Sequence, residues 1–135
     1  MRIRLESVPV SDQDHALRFY TEKLGFQKKR DIPMSHGARF LTVVSPEDPD
    51  GTELMLEPNG EHAATKAYKQ AIYAEGVPIT AFEVDDCRAE YQRLLDLGVE
   101  FRGEPVDAGS AIMATLDDTC GNLIMIYEER DEPAS

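Results

Sequence analysis

The stretch "ELMLE", residues 53 to 57, sets two carboxylates around a methionine. Alternation along a strand puts Glu53, Met55 and Glu57 on one face, with Leu54 and Leu56 on the other. In the same way "ITAFE" puts Glu83 on the face of Ile79 and Ala81. A carboxylate held in an apolar pocket has a raised pKa and serves as a general base on an acidic carbon or hydroxyl. Glu57 and Glu83 are therefore the catalytic candidates; the plainer reading of each is a solvated strand end.

His36, in "MSHGARF", falls on a turn between two strands, where an imidazole can hang over a pocket mouth or simply face water. Arg39 begins the strand after it. Its planar fork suits an anionic or carbonyl-bearing ligand, while pairing with a surface acid is the ordinary alternative. His15 and His62 fit capping or surface roles, and no two histidines have the close helical spacing of a zinc motif. Nucleophilic catalysis has little support. No Ser or Cys sits in a G-x-S-x-G elbow, and "TCGN" around Cys120 reads as turn chemistry.

The elements that position these residues come from a duplicated chain. "VPVSDQDHALRFYTEKLGF" (8–26) lies over "FEVDDCRAEYQRLLDLGV" (82–99) with one gap, matching Val10 with Val84, Asp12 with Asp86 and Gly25 with Gly98. "DGTELMLEP" (50–58) lies over "CGNLIMIYE" (120–128), matching Gly51 with Gly121 and Met55 with Met125. Each half reads as a strand, a helix and three strands. The first strand spans Ile3 to Val10, the helix starts at Asp12 and ends at Gly25, and strands follow near 26–32, 38–45 and 52–57. The second half predicts a strand near 79–85, a helix over 86–97, and strands near 99–105, 110–116 and 122–128. Between the halves, residues 62–76 carry Ala64, Ala67, Tyr68, Ala71 and Ile72 at helical spacing, an amphipathic linker helix. One domain over 1–130 is expected: a first module at about 1–60, the linker helix at 62–76, a second module at about 78–129, and a frayed tail from Arg130, with 131–135 flexible.

With 26 acidic and 14 basic residues among 135, the formal charge is −12. That field repels phosphate backbones and anionic lipid, which argues against nucleic acid and membrane partners. The 41% hydrophobic content is that of a globular chain. "MRIRLESVPV" lacks the apolar core of a signal peptide, no run is long enough to span a membrane, and the two cysteines have no CxxC spacing. A cytoplasmic protein with free thiols is expected.

The repeated unit, with Val10, Asp12, Ala16, Phe19, Tyr20, Leu24, Gly25 and Phe26 in V-x-D-x-x-x-A-x-x-F-Y-x-x-x-L-G-F, resembles the vicinal oxygen chelate superfamily. That group includes glyoxalase I, extradiol dioxygenases, and bleomycin and fosfomycin resistance proteins. The resemblance implies an α+β fold of two tandem βαβββ modules, curled as mixed sheet around a shared cleft, usually in a homodimer. In metal-dependent members it implies a divalent ion on four side chains, in the first and last strand of each module. Counted onto this sequence, the four are Leu5, Met55, Ile79 and Met125. Leu and Ile offer no lone pair, and methionine suits only soft ions, so no metal and no cofactor are expected at these positions.

Leu5, Met55, Ile79, Met113, Met125 and Tyr127, with Arg39 and Glu57, are then the ligand-binding candidates, an adaptable and largely apolar set. Filling of the cleft as plain core is the alternative. The favoured expectation is a metal-independent binder of a small, partly apolar molecule. The competing one is a glyoxalase-like lyase, isomerase or dioxygenase holding a metal on residues such as Glu57, Glu83 and His36.

Overall fold

In the computed structural model, which describes residues 1–58 and 61–131, each half opens its helix on an aspartate. Asp12 accepts from the His15 amide at 3.0 Å and Asp86 from the Ala89 amide at 3.0 Å, capping α1 (Gln13–Arg18) and α3 (Cys87–Asp96). Beyond Arg18 the first helix widens into a π turn over Phe19–Lys23. Both segments stop at glycines in the left-handed region, Gly25 at φ 86° and Gly98 at φ 87°.

The strands are β1 (Leu5–Pro9), β2 (Gln27–Pro33), β3 (Arg39–Val44) and β4 (Glu53–Glu57) in the first half. In the second they are β5 (Thr80–Glu83), β6 (Val106–Asp107), β7 (Ala111–Asp117) and β8 (Leu123–Glu129). Each half forms its own four-stranded sheet, in the orders β1-β4-β3-β2 and β5-β8-β7-β6. In both, the first strand runs parallel to the last and the other pairings are antiparallel. The repeat seen in the residues is thus a repeat of topology.

One face of each sheet builds a common core. Val8, Val10, Leu41, Val43 and Leu56 from the first sheet join Ile112, Ala114, Leu116, Ile124 and Ile126 from the second around Ala16, Phe19, Tyr20 and Leu94. Strict alternation on β7, where Ile112, Ala114 and Leu116 are buried and their neighbours half-exposed, shows how period two selects that face. Phe26 meets Phe82 edge-on at 5.1 Å, an aromatic tie between the halves.

The strand expected near 99–105 does not form. Phe101 makes a single isolated bridge to Leu116 of β7, flanked by the Arg102 amide on Thr115 O at 2.8 Å and the Asp117 amide on Glu100 O at 2.9 Å, and packs edge-on against Tyr91 at 4.7 Å; ladder pairing with β7 is confined to Val106–Asp107. Gly103 and Pro105 explain the break, since a strand glycine has no side chain to pack and proline has no ladder donor.

The linker helix, α2 (Ala63–Ala74), forms with an unexpected orientation. Ala64, Ala67, Tyr68 and Ala71 are exposed, and the buried residue is Lys69. The helix docks through polar tips one turn apart, Lys69 Nζ donating to the Cys120 carbonyl at 2.7 Å and the Tyr73 hydroxyl to Asp117 Oδ2 at 2.5 Å. Arg130 is tied, its amide bonded to Ser110 O at 2.9 Å and its guanidinium to Asp107 at 2.6 Å. The rest of the expected tail, beyond Asp131, lies outside the described residues. Among the described residues no helix is long and apolar enough to cross a membrane.

Candidate functional site

The faces turned away from the core carry most of the candidates. Pairing registers define their rows. On the first sheet, Ser7, Met55, Thr42 and Arg30 lie across the four strands, with Leu5 beside Glu53 and Pro9 beside Glu57. On the second, Ala81, Met125 and Thr115 form one row, and Glu83, Tyr127, Met113 and Val106 the next. Met113, Met125 and Tyr127 are half-buried and adjacent, a compact apolar patch with Glu83 exposed at its edge. Met55 is buried and Leu5 exposed on the other sheet.

Glu57 and Glu83 belong to different sheets, the first half-buried and the second exposed. His36 stands exposed on a short 3-10 turn (Ser35–Gly37), with φ 60°. Ile79 bonds its amide to Leu123 O at 2.8 Å, and its side chain packs on the main core. Arg39 has the opposite parity from Thr42 on β3, so it leaves the face of Met55. Its guanidinium pairs with Asp14 at 2.6 Å and Asp31 at 3.0 Å.

Of the four positions to which the resemblance assigns an ion, Leu5 and Met55 lie on the first sheet, Met125 on the second, and Ile79 packs against the core. Among the described residues, no three or more of His, Cys, Asp and Glu come together as a metal-sized group. Leu and Ile carry no lone pair and a thioether suits only a soft ion, so that donor set does not fit a hard or borderline ion.

The sequence reading passed over a polar cluster on the first sheet. Thr42, fully buried, donates to Glu53 Oε1 at 2.7 Å and accepts from the Arg30 amide at 3.2 Å; Arg30 Nε reaches the same carboxylate oxygen at 2.8 Å. Burial pushes the Glu53 carboxyl upward, but the Thr42 and Arg30 hydrogen bonds outweigh it and hold the group below its ordinary range. Strand parity placed Glu53 beside Met55. The partners depended on a bulge between Lys28 and Arg30 that no spacing rule announces.

A second polar centre joins the halves. Asp118, fully buried in the β7–β8 loop, accepts the Tyr20 hydroxyl at 2.7 Å, Asn122 Nδ2 at 2.9 Å, and the amides of Cys120 at 2.7 Å and Asn122 at 3.0 Å. Burial pushes its carboxyl up despite these donors. His15 Nε2 meets Thr119 Oγ1 at 2.8 Å on the same loop. Two cavities open here, of about 330 Å³ beside α2 and about 550 Å³ beside the π turn, and neither is lined by Met55, Met113, Met125 or Tyr127.

Comparison with known proteins accords with this architecture. The sequence profile of the Glyoxalase/Bleomycin resistance protein/Dioxygenase superfamily matches residues 3–126. YurT of Bacillus subtilis (strain 168) is 54% identical over 129 residues, covering 96% of this chain and all 100% of its own. The crystal structure of UcmS2 superposes with a TM-score of 0.79 at 32% identity, over 94% of this chain and 97% of that one. TnmS3, an antibiotic binding protein from Streptomyces sp. CB03234, superposes with a TM-score of 0.72 at 28% identity, over 96% and 97%.

Proposed function

The chain belongs to the glyoxalase/bleomycin resistance protein/dioxygenase superfamily, and on that premise we propose that it binds a small, partly apolar molecule without a metal, as a homodimer. The observation that supports this reading is the adjacent, half-buried patch of Met113, Met125 and Tyr127, beside which the positions counted from the resemblance, Leu5, Met55, Ile79 and Met125, offer no hard or borderline donor. Thioethers and an aromatic ring at Met113, Met125 and Tyr127 form a deformable apolar surface, suited to a ligand of mixed shape. The similarity to TnmS3 supports antibiotics as the ligand class.

Sequestration asks only for burial and shape, and no general base is needed. In one copy Leu5 is exposed and Met113, Met125 and Tyr127 are only half-buried, and a second copy supplies the opposing wall. One wall then carries Met55 and Glu57, the other Met125 and Tyr127, with glutamates at the rim favouring a cationic ligand over an anionic one.

The test is a thermal titration with bleomycin and a panel of aromatic antibiotics, run with and without EDTA. At least one compound is expected to raise the melting temperature saturably, equally in both buffers, corresponding to about 2.7 kcal/mol at a hundredfold excess over Kd. Met125→Glu, which sets a charge in the apolar patch, is expected to abolish the rise. A rise that disappears with EDTA would contradict the proposal.

A further inference from the structure

We propose that the cavity between α1, α2 and the β7–β8 loop is a second site, which takes a small oxyanion, a carboxylate or phosphate group, on Lys69. The side chain of Lys69 is 6% exposed and lines this cavity of about 330 Å³, within the size range of small-molecule pockets. An ammonium has three donors. Here one is used, on the Cys120 carbonyl at 2.7 Å, and no carboxylate lies within 4.0 Å of it among the described residues. A buried cation without an ionic partner is costly, and an anion in the cavity offsets that cost with the two remaining donors.

The other groups of the wall fit this role. Lys66 adds a second ammonium near the mouth, 53% exposed and paired with Glu61, while the Thr119 hydroxyl is shared with His15 Nε2 at 2.8 Å. Both acids in the wall are engaged: Asp12 caps the His15 amide at 3.0 Å, and Glu61 pairs with Lys66 at 3.3 Å. Burial pushes the Cys120 thiol up to about 12, so it adds no competing negative charge at neutral pH. At Gly121 a side chain would stand 3.4 Å from Lys69 Cε and Nζ; its absence leaves the ammonium open on that side. The formal charge of −12 disfavours anions over the surface at large, so a saturable anion effect confined to this cavity has no bulk explanation.

The experiment is an amide NMR titration of the full chain with inorganic phosphate and, separately, succinate, at an ionic strength held constant with sodium chloride. Saturable shifts are expected at Thr119, Cys120, Gly121 and the turn of α2 around Lys69, and their loss in Lys69→Met. Saturation by phosphate alone assigns a phosphorylated ligand, and by succinate alone a carboxylate. Shifts spread over the surface, the same with either anion and never saturating, would overturn the site, as would saturation that persists in Lys69→Met. Should that variant fail to fold, Lys66→Met decides: binding weakened several-fold sustains the proposal, and unchanged binding refutes it.

Discussion

Glu53 keeps its charge in a poorly hydrated position because Thr42 and Arg30 meet one carboxylate oxygen. Its folded pKa lies below the ordinary 4.5, so the stability it contributes is present above that value and is lost as the pH falls through the folded pKa. Glu53→Gln is therefore expected to be less stable than the parent at neutral pH, with the gap closing below about pH 4.5 in urea denaturation series. A gap independent of pH would remove the charge from the explanation. At this scale the sequence shows which side chains share a face. Glu53 and Met55 follow from parity alone, and parity on β3 likewise separates Arg39 from Thr42. Which donors reach Glu53, and that Lys69 is the residue α2 buries, depend on contacts between segments far apart in the chain.

Gln13 shows how one side chain fixes an element. Its amide donates to the carbonyls of Arg39 at 2.7 Å and Leu56 at 2.9 Å and accepts from the Arg39 amide at 3.1 Å, stitching α1 to β3 and β4. Gln13→Ala leaves those backbone groups short of partners and is expected to cost about 2–3 kcal/mol by chemical denaturation. The helices α1 and α3 were legible because aspartate caps and terminal glycines bracket them. The strand near 99–105 was not, because its apolar residues outweighed Gly103 and Pro105. The orientation of α2 misled for a different reason. Periodicity counts apolar residues and says nothing of where acceptors wait, and here Cys120 O and Asp117 capture Lys69 and Tyr73.

The whole molecule joins two copies of one topology through a common core, with Leu5 exposed on the outer face of the first sheet and Met113, Met125 and Tyr127 half-buried on that of the second. Duplication was legible from Val10 and Val84, Asp12 and Asp86, Gly51 and Gly121. The seating of one half on the other was not, since Phe26 on Phe82 and Tyr20 on Asp118 have no pattern within either repeat. Light scattering on a sizing column is expected to give twice the chain mass. Leu5→Glu, at a position 48% exposed on the first sheet's outer face, is expected to shift it toward the monomer. An unaltered dimer would move the contact elsewhere.

The central claim is that binding proceeds without a metal, and elemental analysis of the freshly purified protein tests it most directly. Far less than one equivalent of nickel, zinc, manganese or iron per chain is the expected result. One equivalent retained through gel filtration and lost in Glu57→Ala would contradict the account.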